Sequence, residues 1–190
     1  GLASKSLSSA QKVADETKTK LFSDIPWEVT KSADIVFITT PDGMIQEASQ
    51  KIAKNKGYKQ NAVVLHCSGA LPSTILAPAK TCGASIGSMH PLQSFASFES
   101  GTNPFKGIIA AIEGEETAIH IARQIAADLG CISLTIKTDA KTLYHAAAVV
   151  ASNYLVALQD MAFKLLQISG IPEKSAYQVL RPLIRGTLSN

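Results

Sequence analysis

Two runs, "ADIVFITT" (Ala33–Thr40) and "NAVVLHCS" (Asn61–Ser68), are apolar almost without interruption and too short to be helices of ordinary length. A strand with one wet face alternates apolar and polar residues, whereas a strand covered on both faces has no need to. These runs therefore read as central parallel strands. Each leads into a turn and then a helical pattern, as a parallel crossover requires. "GASIGSMH" (Gly83–His90), "GIIAAIEG" (Gly107–Gly114) and "CISLTIKT" (Cys131–Thr138) continue the series. Between the strands, "SSAQKVADET", "DGMIQEASQKIAKN" and "EETAIHIARQIAADLG" have helical periodicity. The second has Asp42 as expected N-cap and Met44, Ile45, Ala48 and Ile52 on one face. The third has Ala118, Ile121, Ala122, Ile125 and Leu129 in one stripe, Gly130 as its stop and His120 on its solvated side.

After Thr138 the pattern changes. "AKTLYHAAAVVASNYLVALQDMAFKLLQISG" is helical up to Ser169-Gly170, and "PEKSAYQVLRPLIRGTLSN" reads as a second helix. The expected architecture is an α/β fold: a Rossmann-like, mostly parallel sheet domain over residues 1–138, followed by an all-α domain over 139–190.

Within the first long helix, "KTLYHAAAVVASN" places costly polar groups in an alanine and valine background. At 3.6 residues per turn, with Lys141 at the origin, Tyr144, His145 and Ser152 fall within about 60° of it and Asn153 at roughly 120°. One reading is a water-facing stripe. The other is a ligand-facing one, because Tyr, His, Ser and Asn offer directional hydrogen bonds and Ala148 leaves room beside them.

Ligands of open α/β sheets bind at the carboxyl ends of the strands. Here those ends carry Thr39, Thr40 and Pro41, then His66 and Ser68, then His90, whose backbone is held extended by Pro91. The alternative is that Pro41 and Gly69 make turns, that Ser68 caps one and that His90 is a hydrogen-bonded structural residue. The loop "GLASKSLSSAQ" has Ser4, Lys5 and Ser6 and no acid where a dinucleotide fold meets the adenosine ribose, which favours a 2′-phosphate and hence NADP. No Gly-x-Gly-x-x-Gly fingerprint occurs in the sequence.

Charged residues make up 17% of the chain and the net charge of +3 forms no block, which argues against nucleic acid or a polybasic membrane surface as partner. No apolar run approaches the roughly 18 residues of a span, so the expected location is cytoplasmic. Cys67, Cys82 and Cys131 lie far apart and read as buried thiols in a reducing compartment, with no metal-ligand spacing.

"ADIVFITTPD", "VVLHCSGAL", "SMHPLQSF", "KTLYHAAAVVASNYLVAL" and "RPLIRGTLSN", in that order, resemble an uncharacterised family of bacterial Rossmann-like proteins with a C-terminal domain of unknown function. These are related to the 6-phosphogluconate dehydrogenase, pyrroline-5-carboxylate reductase and ketopantoate reductase group. The resemblance implies that family members have a first strand and Gly-rich turn before the segment that "GLASKS" matches, that they continue after "GTLSN", and that this chain lacks both ends. It places Thr40 and Pro41 near the nicotinamide and Ser4, Lys5 and Ser6 near the ribose. Ketopantoate reductases carry a lysine and two asparagines at four-residue steps that fall here on His145, Val149 and Asn153, so the acid is left open between Lys141 and His145. "HPLQSF" is similar to the His-Pro of prephenate dehydrogenases.

The expectation is an NADP-dependent oxidoreductase that moves a hydride between the nicotinamide and a small carbonyl or imine substrate. Lys141, His145 and Asn153 are its candidate catalytic residues. His66, Ser68, His90, Tyr144 and Ser152 would bind substrate, and Ser4, Lys5, Ser6, Thr39, Thr40 and Pro41 the cofactor. A non-catalytic NADP-binding or sensing protein is the alternative. A helix apolar on nearly all sides must be buried against something, which implies a homodimer through the C-terminal helices.

Overall fold

In the computed structural model, residues 1–95 and 103–189 are described. The chain forms two compact units, Gly1–Tyr144 and His145–Asn190. The first unit opens with β1 (Leu2–Ala3), α1 (Leu7–Thr17), β2 (Phe22–Ser23) and α2 (Pro26–Thr30). It continues with β3 (Ile35–Ile38), α3 (Asp42–Lys54), β4 (Val63–His66) and a 3₁₀ turn at Ser73–Leu76 running into α4 (Ala77–Lys80). Then follow β5 (Ser85–Pro91), β6 (Ile109–Gly114), α5 (Glu116–Asp128) and β7 (Ile132–Thr135).

The strands form a parallel β1-β2 pair and a sheet of order β3-β4-β5-β6-β7, parallel except at β5-β6. All five strands expected from the apolar runs are present. Strand β4 is sealed on both faces, as the sequence implies, whereas β3 corrects that expectation: it is the edge strand of this sheet, with Val36 and Ile38 buried but Ile35 and Phe37 exposed. Val36, Ile38, Val64 and Ile86 pack under Ile45, Ile52, Leu76 and Ala79 on one face. On the other face Val63, Leu65, Met89 and Ile112 pack against α5. Helix α5 buries Ala118, Ala122 and Ala126 and flanks them with Ile121, Ile125 and Leu129. A Cβ added to Gly87 would sit 2.9 Å from the Ala118 methyl, so the small residues bring helix and sheet close together. Gly130, at φ +79°, ends the helix as expected.

Asp42 differs from its expected role. The preceding Pro41 occupies the cap, without a side-chain bond, and Asp42 is the first helical residue. Its carboxylate instead accepts from the Ser68 hydroxyl at 2.7 Å. The cysteines are free and half-buried rather than fully buried.

The long helix begins as α6 (Lys141–Val149), passes through a π-helical turn at Val150–Tyr154 and continues as α7 (Leu155–Ile168); α8 (Glu173–Ser189) follows. The division between units falls inside α6, six residues beyond the expected boundary at 138, because Lys141 and Tyr144 bond to the sheet. The expectation that no stretch reaches span length is corrected: helical residues 138–168 have a window of mean hydropathy 1.3, long and apolar enough to cross a membrane. No residue of α7 is buried, and Leu158, Met161, Leu165 and Ile168 are exposed.

Candidate active site

Register decides what one face of the sheet presents. His66 pairs with Ser88, and Ser88 pairs with Glu113, so these three side chains stand in a row across β4, β5 and β6. His90, two residues beyond Ser88, projects from the same face. All three members of the row are buried, within or at the end of what the sequence presents as apolar strands. Unpartnered, such a row would cost several kcal/mol.

The partners come from the 3₁₀ turn after β4 and from the segment that follows β7. Lys141, 1% exposed, reaches in from the first turn of α6, and its ammonium donates to Ser88 Oγ and, at 3.2 Å, to Glu113 Oε1. Glu113 also accepts from the Ser73 N–H at 2.8 Å, the Ser73 hydroxyl at 2.7 Å and the Thr138 hydroxyl at 2.8 Å. Four donors thus converge on one buried carboxylate. Burial pushes the Lys141 ammonium below its ordinary pKa, and the Glu113 charge opposes that push.

His66 lies at the end of β4. Its Nδ1 accepts from the Ser68 N–H at 3.1 Å, which places the ring proton on Nε2. Burial, and then the Lys141 charge, lower its pKa to about 4, so the ring is neutral at pH 7. Ser68 accepts from the N–H groups of Ala70 and Leu71 and donates to Asp42, tying the turn after β4 to the start of α3. Its hydroxyl is thereby committed to turn structure, the alternative the sequence left open.

One turn along α6 from Lys141, the Tyr144 hydroxyl lies 3.2 Å from His90 Nδ1. The rings meet edge to face, with centroids 5.8 Å apart and planes at 84°. Helix and strand therefore run as two paired steps, Lys141 on Ser88 and Tyr144 on His90. Both members of the second pair are half-buried, and burial raises the Tyr144 phenol.

A second region lies at the carboxyl ends of β1 and β3. A cavity of about 190 Å³ is lined by Gly1, Ala3, both faces of β3, Thr39 and Thr40. Thr39, Thr40 and Pro41 are exposed, as are Lys5 and Ser6, and Ser4 is half-buried. The Ser6 hydroxyl caps α1 by accepting from the Ser9 N–H at 3.3 Å. Hydroxyls and one ammonium at parallel strand ends fit the ribose and phosphate oxygens of a dinucleotide.

The structure thus brings together Lys141 with His66, and His90 with Tyr144, while Ser4, Lys5, Ser6, Thr39, Thr40 and Pro41 stand at strand ends. His145, Ser152 and Asn153 belong to the second unit. The angular count that related Ser152 and Asn153 to Lys141 does not hold beyond Val149, because in the π-helical turn each residue advances less than in an α-helix. Lys141 is inside the polar row, not on an open stripe. Sequence reasoning misses Glu113, Ser88, Ser73 and Thr138. The available signal is Glu113 itself, a lone acid inside "GIIAAIEG".

Residues 2–91 match a Rossmann-like domain, and residues 108–190 match the Domain of unknown function (DUF2520). Over 99% of its length the chain is similar to a Thermotoga maritima protein of known crystal structure, at 28% identity and a TM-score of 0.76, and covers 68% of it. A Bacteroides fragilis protein, a candidate NADP oxidoreductase, is 23% identical with a TM-score of 0.74, over 98% of this chain and 68% of its own. A 1-pyrroline-5-carboxylate reductase from Streptococcus pyogenes superposes at 12% identity and a TM-score of 0.66, over 100% of this chain and 69% of its own. The last two likenesses speak for the fold. Among curated proteins the chain has no sequence match.

Proposed function

Because the chain joins a Rossmann-like domain to a DUF2520 domain, we propose that it is a nicotinamide-dependent oxidoreductase that reduces a small carbonyl or imine compound, with NADP as its cofactor. The observation that carries this reading is the polar row His66, Ser88 and Glu113 on one sheet face, closed by Lys141 and continued by His90 and Tyr144. A structural sheet gains nothing from burying so many polar groups, whereas a site that must handle charge does. Solved structures of the same fold include a reductase named for a cyclic imine that it reduces and a reductive aminase, which supports the substrate class.

When bound, the nicotinamide supplies or accepts the hydride. Ser4, Lys5 and Ser6 would hold the ribose with its 2′-phosphate, and Thr39, Thr40 and Pro41 the nicotinamide end. Lys141, kept cationic by Glu113, favours negative charge developing near the strand ends, and His66 adds a neutral donor beside it. The reading is tested by following NADPH absorbance with a panel of 2-oxo acids, aldehydes and cyclic imines. Oxidation with any member supports it. Binding of NADPH without oxidation favours the sensing alternative.

The exposed apolar side chains of α7 and α8 support a second copy of the chain as their cover. Asp160 and Lys164, paired at 2.6 Å in the middle of α7, suit a protein interface better than lipid. Sedimentation should give a dimer, and a stable monomer on dilution contradicts this.

A further inference from the structure

Resting on the reductase reading above, we propose that the Tyr144 hydroxyl hands the proton to the substrate's oxygen or nitrogen and that His90 restores it. The other groups gathered on this face are committed elsewhere or sealed from solvent. Lys141 is 1% exposed and donates to Ser88 and Glu113; giving up its proton would leave the Glu113 carboxylate buried without its cation. His66 is neutral, and its Nε2 proton, though without a hydrogen-bond partner among the described residues, is sealed from solvent, so a substrate does not reach it. The Ser68 proton is on Asp42. Tyr144 and His90 differ in being half-buried, so a substrate can reach them, and in standing at the carboxyl end of β5.

The pair has the geometry of a relay. Tyr144 Oη and His90 Nδ1 are 3.2 Å apart, within reach of direct proton transfer. The edge-to-face packing of the rings fixes their mutual orientation. A phenol is protonated at neutral pH, as a donor must be, and burial raises the Tyr144 phenol further. In the reduction, a C–H bond forms at the carbonyl or imine carbon with the electron pair that leaves the reduced nicotinamide. The C=O or C=N π pair moves to the heteroatom, which takes the Tyr144 proton as the phenolic O–H bond breaks. The phenolate then takes the Nδ1 proton of His90 as Nε2 takes one from a solvent hydronium ion, so the ring stays neutral and the one proton that the reduction consumes comes from solvent.

Tyr144→Phe keeps the ring and its packing and removes only the hydroxyl. With a substrate found in the panel, it should lower kcat by about 100-fold while KM changes less than about threefold. His90→Asn should lower kcat by about tenfold or more and leave the Phe variant unaffected when the two are combined. A second measurement is independent of turnover: with 3-fluorotyrosine in the protein, the fluorine resonance missing from Tyr144→Phe reports this phenol, and His90→Asn should shift its titration. A Tyr144→Phe kcat within tenfold of the parent, or a titration indifferent to His90, overturns the proposal while parental turnover leaves the reductase reading standing. No parental turnover with any member of the panel overturns the reductase reading itself, and this proposal with it.

Discussion

The Lys141 ammonium lies 3.2 Å from Glu113 Oε1, with both side chains sealed from water. The two residues are 28 positions apart, on a helix and a strand, and each is the other's compensation for burial. Removing one partner of such a pair leaves an uncompensated charge, at a cost of about 3–5 kcal/mol. Glu113→Gln and Lys141→Met should each destabilise the protein on that scale. The double variant should recover at least about 1 kcal/mol relative to their sum, read from urea unfolding. Strict additivity would mean that the pair is not coupled.

His66 gives the fold a pH dependence with a definite sign. Its folded pKa of about 4 lies below the ordinary histidine value, so between pH 6.5 and 4 the unfolded chain takes up a proton that the folded one refuses. The stability from burying the neutral ring is complete above about pH 6.5 and is lost as pH falls through that window. The loss approaches about 3 kcal/mol near pH 4. His66→Asn should remove this part of the acid slope in urea unfolding measured at a series of pH values. An unchanged slope would assign it to other groups.

The charge at the end of β1 should set the choice of cofactor. Lys5 is exposed, and beside it stand Ser4 and Ser6 with no acid to claim a free 2′-hydroxyl. Lys5→Glu should weaken NADPH relative to NADH by roughly tenfold, about 1.4 kcal/mol, measured as the ratio of dissociation constants by fluorescence. An unchanged ratio would place the 2′-phosphate elsewhere.

Much of this architecture is legible from sequence because burial writes a strong pattern. Val63–His66 is apolar along nearly all its length and covered on both faces, as the pattern implies, whereas Ile35–Ile38 has the same pattern yet lies at the sheet edge with Ile35 and Phe37 exposed, because the pattern records apolar character and not which strand lies alongside. Phe22–Ser23 and Pro26–Thr30 are too short to show a period, so they emerge only in three dimensions. The polar row is harder still. Glu113 in its strand looks like a solvated strand-end acid, and only the register with Ser88 and the arrival of Lys141 from the far side of β7 show why it is buried. Lys141, Tyr144 and His90 are recognisable as residues that need partners; which partner each has is set by how α6 lies along β5. The change of helical pitch at Val150 leaves no mark in an alanine and valine run, because those residues fit either turn.

Hydride transfer from the nicotinamide is tested most directly by isotope tracing. Incubated with NADPH deuterated at the transferable C4 position and an accepted carbonyl or imine compound, the protein should yield a product with one deuterium on the former carbonyl or imine carbon, and Tyr144→Phe should form the same product more slowly. Oxidation of the cofactor with no deuterium in the product, or no product from any compound in the panel, would contradict the account.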